Sequence, residues 1–148
     1  MAVKLSVMVE GLKWVCGKDT VYINIQKNTL VNIADPSLSD IPSDHAILEI
    51  EEHKDEYLEL PSYKQIDTKK IAHDYVNSLN EGAVKARLNK ALKGFMPMHK
   101  FLKQIDIFEY NDNWYNFRSK ALKQIAINFL NMKNIEYEDD LSYGDEKR

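Results

Sequence analysis

A single cysteine, Cys16, leaves this chain without a disulfide framework or a thiol-rich metal site. With no sign of an oxidising compartment, the cytoplasm is the expected location. Glycine is scarce too, with five in all, and none forms a phosphate-cradling loop. No run approaches the roughly 18 apolar residues that a membrane span needs. Met1 to Val15 is apolar enough to suggest a signal peptide, but Glu10 and Lys13 interrupt it and no small-residue cleavage site follows. The four histidines, His45, His53, His73 and His99, show no ligand spacing, and no His-Glu-x-x-His pattern occurs. A Gly-x-Ser-x-Gly elbow is also missing. No metal, cofactor or membrane is expected.

What remains is a chain of ordinary composition, 44% hydrophobic and 29% charged, and at 148 residues long enough to bury a core unaided. Ser6 reads as the cap of a first helix with Leu5, Met8, Val9, Leu12 and Cys16 inward and Gly17 as its stop. Trp14 and Val7 then point the other way. Thr20 to Ile25 alternates as a strand, Gln26-Lys27-Asn28-Thr29 suits a turn, and Leu30 to Ala34 resumes an extended pattern: a β-hairpin. Residues 35–44 read as a loop, Ser43 to Glu52 as a short helix, and Tyr57 to Leu60 as a third strand stopped by Pro61.

From Asp67 the apolar period becomes helical. Asp67 is a plausible cap for a helix using Ile71, Ala72, Tyr75, Val76 and Leu79. A second helix covers about Glu81 to Lys93, with Gly94 as its stop. A third runs from Pro97, at a favoured first-turn position, to Ile107. The last pattern runs from Trp114 to about Met132, and Glu138 to Arg148 reads as a polar, frayed tail. The expectation is one α+β domain over 1–137: a small antiparallel sheet, hairpin plus third strand, packed against a C-terminal helical group with a long last helix.

Charge is laid out unevenly. Residues 35–63 carry nine acids and one base, Lys54; residues 64–103 carry nine bases and three acids. Lys85, Arg87, Lys90 and Lys93 fall on the outward arc of the second late helix, where they form a candidate basic patch for phosphates. A solvated helix face is the favoured account, because no helix-turn-helix, zinc finger or aromatic-basic strand accompanies the patch.

Arg118 is the one polar residue in an odd place. At one hundred degrees per residue, Trp114, Phe117, Ala121, Leu122, Ile125, Phe129 and Met132 share a face, and Arg118 lies in its middle. A guanidinium cannot lose its proton, so burial demands a partner. Three accounts stay open. The side chain snorkels from the edge of the face; it pairs with a buried acid such as Asp74, Glu59 or Asp106; or it holds a ligand carboxylate or phosphate beside Trp114 and Tyr115.

Several segments resemble uncharacterised protein family 0158, a bacterial group. They are Tyr57-Leu58-Glu59-Leu60-Pro61-Ser62, the helix with His73-Asp74-Tyr75-Val76-Asn77-Ser78-Leu79, and Trp114-Tyr115-Asn116-Phe117-Arg118 with Ala121-Leu122. Ile125 to Leu130, Asn134-Ile135, and the N-terminal helix and hairpin from Leu5 to Ile33 also fit. Two stretches depart from the family's pattern. Gly94-Phe95-Met96-Pro97-Met98-His99-Lys100-Phe101 lacks the arginines that relatives tend to carry there, and the hairpin turn has Asn28-Thr29 in place of Thr-Gly. The resemblance implies a bacterial origin and carries no established activity.

Taken together, the residues point to a non-catalytic binding or interaction module for a protein, a second copy of itself, or a small anionic ligand. A small metal-dependent hydrolase or nuclease using scattered carboxylates (Glu59 with Asp67, Asp74 or Glu109) is the rival reading. Non-specific nucleic-acid association through residues 64–103 is a third.

Overall fold

The computed structural model describes residues 2–33 and 44–142. Its α+β class, its three-stranded antiparallel sheet and its long last helix are those expected from the sequence. The chain divides into two compact units: Met1–Ile66 with Leu122–Arg148, and Asp67–Ala121. The loop read at 35–44 lies almost wholly outside the described residues, as does the end of the tail from residue 143.

In the first unit, β1 (Val3–Lys4) leads directly into α1 (Leu5–Cys16). The hairpin follows as β2 (Thr20–Asn24) and β3 (Thr29–Ile33), then α2 (Asp44–Glu52), a 3-10 turn at Lys54–Glu56, β4 (Tyr57–Glu59) and the short α3 (Tyr63–Ile66). β2 is the centre of the sheet. It pairs antiparallel with β3, Tyr22 opposite Val31, and on its other edge with β4, Tyr22 opposite Glu59. Val21 and Ile23 are buried by the alternation that made the strand legible.

The hairpin turn is held by two asparagines. Asn24 is fully buried, yet its Oδ1 accepts from the Gln26 and Lys27 amides at 3.0 and 2.9 Å, and its Nδ2 donates to Glu56 at 3.3 Å. Asn28 takes a left-handed backbone, φ +55°, which asparagine tolerates better than most residues. Its side chain then ties the turn to β1, accepting from Lys4 N and donating to Ala2 O.

α1 packs on this sheet through Leu5, Met8, Val9, Leu12 and Val15. Gly11 lets it come close: a Cβ there would meet Leu60 Cδ1 at 2.6 Å and Leu30 Cδ2 at 2.9 Å. Ser6 does not cap the helix. The helix starts one residue before it, and Ser6 instead donates from its hydroxyl and its amide to Asp140, at 2.6 and 2.9 Å. Cys16 is half-buried, and Val15 takes the inward position. β5 (Tyr137–Glu138) lies parallel to β1, so pairing continues past residue 137 into the segment that reads as tail. Lys123, 4% exposed, meets Asp139 at 2.8 Å just beyond this strand.

The second unit is helical throughout: α4 (Thr68–Ser78), α5 (Ala83–Ala91), α6 (Pro97–Ile107) and the first half of α7 (Asn111–Met132). Asp67 caps α4 by accepting from Lys70 N at 3.1 Å, and Pro97 opens α6. Tyr75 is the hub of its core. Its ring meets Phe101, Trp114 and Phe117 edge-on, with centroids 6.3, 5.4 and 5.2 Å away. Burial, reinforced by nearby Tyr110, raises the Tyr75 phenol above its ordinary pKa, so the hydroxyl keeps its proton and donates to Asn113.

Two outcomes follow. Gly11→Val should destabilise the protein by about 1–3 kcal/mol through overpacking against Leu60 and Leu30; an unchanged urea midpoint would remove the close-approach account. Asp140 is a case for pH. Burial alone would raise its pKa, but the two Ser6 donors and the charge of Lys4 hold it below the ordinary value. Its contribution is therefore complete above the unfolded-state pKa, about 3.9, and is lost as pH falls through the lower folded value. The stability gap between wild type and Asp140→Asn should be widest near neutrality and should close in acid; a gap independent of pH would contradict this.

Candidate functional site

α7 buries a line rather than the wide arc read from its sequence. Trp114, Leu122, Ala126 and Leu130 are buried, with Lys123 alongside, whereas Phe129 is half-buried and Met132 is 70% exposed. Steps of four residues through 114, 118, 122, 126 and 130 pass straight through Arg118. Arg118 is itself only half-buried, but its Nε is enclosed and has no hydrogen-bond partner. The guanidinium carbon lies 5.4 Å from the centroid of the Tyr115 ring, one turn back on the same helix. Tyr115 is half-exposed, and Trp114 belongs to the aromatic core.

The acids proposed as partners for Arg118 are engaged elsewhere. Asp74 pairs with Lys70 at 3.0 Å, Asp106 accepts from Asn111 at 3.1 Å, and Glu59 accepts from Tyr22, whose pKa is raised by burial first and by Glu59 second. Among the described residues, no carboxylate comes within ion-pair distance of Arg118. The arrangement is an apolar stem under a guanidinium laid on a ring.

The basic residues make a different kind of site. Arg87, Lys90 and Lys93 from α5 and its end face Lys100, Lys103 and Gln104 from α6 across a groove of about 670 Å³. Ala91 and Gly94 complete the lining, which contains no carboxylate. The spacing explains the assembly. Positions 87, 90, 91 and 94 share one edge of α5 and its extension, and positions 100, 103 and 104 share one edge of α6. Beneath them, Leu88, Leu92, Phe101 and Ile105 are buried and seal the two helices together. The turn between the helices is set by Gly94, φ +84°, and Met96, φ +51°. Lys100 Nζ donates to the Lys93 carbonyl at 2.9 Å, capping the end of the α5 segment.

Gln104 carries the second enclosed, unpartnered polar atom, its Oε1. A buried acceptor left unpaired costs about 1–3 kcal/mol. Lys85 stands apart from this lining. It is 19% exposed by side chain and pairs with Glu81 at 3.0 Å along its own helix. Lys100, Lys103 and Gln104 were the residues that sequence reasoning passed over. Lys100 and Lys103 lay inside the stretch of net positive charge and Gln104 just past its end, but only a second helix edge could bring them to the first.

Among the described residues, no group of three or more His, Cys, Asp or Glu is arranged to hold a metal ion. None of the helices described is long and apolar enough to cross a membrane.

A family model matches residues 14–146, which takes in residues of both units. The chain belongs to the uncharacterised protein family UPF0158. No curated protein and no solved structure matches it. The match agrees with the resemblance carried by the Tyr57–Ser62, His73–Leu79 and Trp114–Leu122 segments.

Because no carboxylate among the described residues would be left stranded, Arg118→Met should be neutral or stabilising, within about 1 kcal/mol. A loss of about 3 kcal/mol or more in a urea melt would mean that the guanidinium answers an ion that this geometry does not show.

Proposed function

We propose that the chain is a non-catalytic binding module that takes an anionic ligand in the groove between α5 and α6. One observation carries the reading: five cationic side chains converge from two helices on one recess with no carboxylate among them. Cations gathered this way repel each other, and an anion relieves that repulsion while releasing the counterions that otherwise screen it. The recess is also within the size range of ligand sites, about 300–1,000 Å³. Arg118 supports a ligand role less well, since its guanidinium is already laid on Tyr115. The reading places the module in the bacterial cytoplasm, in keeping with a lone cysteine and the family resemblance.

Inorganic polyphosphate is a suitable first probe, because it offers charge with no base, sugar or side chain. Calorimetric titration at low salt should show binding that weakens steeply as salt rises, with a log–log slope of at most about 3.5 if five single-strand-like contacts form. Arg87→Glu with Lys90→Glu should abolish it, whereas Lys85→Gln, outside the lining, should leave it intact. Polyphosphate affinity equal in wild type and the double variant would overturn the reading.

A further inference from the structure

Phe95 is the most exposed large apolar side chain among the described residues, at 81%, and it directly follows Lys93 and Gly94, which line the basic groove. Its neighbours explain why it cannot fold inward. Gly94 before it and Met96 after it both take left-handed backbones, and Pro97 starts the next helix immediately. The turn is therefore fixed on both sides of Phe95, and the side chain is presented to solvent by local geometry. Lys93 and Gly94, the residues just before it, line the groove, and Lys100 is tied to the same turn through the Lys93 carbonyl. A ring with a free face thus adjoins a recess whose charged side chains are all cationic.

We infer that the anionic ligand of this groove is single-stranded nucleic acid, its phosphates held by Arg87, Lys90, Lys93 and Lys103 and one base stacked on Phe95. The inference rests on the groove reading above and adds the chemical class of the ligand. Three features favour a strand over other anions. From Arg87 to Lys93 the α5 wall extends six residues, about 9 Å of helix axis, which is more than one small anion occupies. The walls offer cationic donors along that length, as a run of phosphates requires. The ring adds a platform that every base can use, and stacking on an aromatic is tolerant of sequence.

The alternatives fit less well. A bilayer is flat, and the cations lie on the two walls of a recess rather than on a plane around Phe95. A duplex keeps its bases stacked on each other, so its phosphates could meet the lysines but no base face would reach the ring. An acidic peptide would satisfy the charge and leave Phe95 without a role.

The test is fluorescence anisotropy on the full chain with a labelled single strand of about 12 nucleotides, within the usual site sizes for such binders. The same sequence as a duplex, inorganic polyphosphate, poly-glutamate and vesicles containing anionic lipid serve as competitors. Single strand should bind more tightly than duplex. Phe95→Ala should weaken single-strand binding by about fivefold to 150-fold, with Phe95→Trp restoring it, and should leave polyphosphate binding unchanged. Phe95 is exposed, so circular dichroism should show both variants folded.

If strand and polyphosphate both bind, both depend on Arg87 and Lys90, and Phe95→Ala changes neither, the base-stacking inference is overturned while the groove reading stands. Equal affinity for strand and poly-glutamate would also overturn it, in favour of an acidic peptide. Vesicle binding that depends on Phe95, with the oligonucleotide ignored, would assign the surface to membrane instead. Binding of both anionic probes that survives Arg87→Glu with Lys90→Glu would remove the groove reading and this inference together.

Discussion

One helix has to serve two cores. The 22 residues of α7 begin in the helical unit, where Trp114 closes on Tyr75 and Phe101, and end in the sheet-bearing unit, where Leu122, Ala126 and Leu130 are buried. An unbroken hydrogen-bond ladder fixes the angular positions of all these side chains at once. The buried residues follow one narrow line at four-residue steps, and Arg118 lies on that line. Arg118 occupies the last turn before the boundary between the units.

The molecule houses cations in three ways, and their energetics differ. Lys123 is almost fully buried and has Asp139 at 2.8 Å, so its desolvation is offset by a direct ion pair. Arg118 keeps one enclosed Nε unpaired and lays its guanidinium on a ring, a weaker compensation suited to a half-buried group. The groove lysines and Arg87 have no carboxylate in the lining, and of them Lys100 donates to the Lys93 carbonyl. The third arrangement gathers charge with no carboxylate to neutralise it, which is why the functional reading follows the groove and not the residue that looked oddest in the sequence.

What the sequence disclosed depended on how far each partner lay along the chain. The hairpin was readable because Val21 and Ile23 alternate within a few residues of their partners, and α6 because Pro97 and the Phe101–Ile105 face mark it locally. β1 and β5 were not: each is two residues long and pairs across the whole intervening chain, so neither leaves a periodic trace. Nothing local marks Lys123 as buried, since its counter-charge Asp139 lies in a segment that reads as a polar tail. The asparagine turn combines the two cases. Asn28 reaches the left-handed backbone from within a local turn, and its side chain adds bonds to β1 that no short-range pattern announces. For the candidate site, the charge run was visible from the start, but a stripe on one helix becomes a groove only when a second helix edge is laid beside it.

The pairing of β1 with β5 also bears on the order in which the protein can assemble. The helical unit is contiguous, residues 67–121, so every partner of Tyr75 in its aromatic cluster is available once that stretch has left the ribosome. The sheet-bearing unit is split, and Ser6 waits for Asp140, 134 residues later, before its two donors are satisfied. Vectorial synthesis therefore makes every residue of the helical core available before the strand that closes on the first-made helix has emerged.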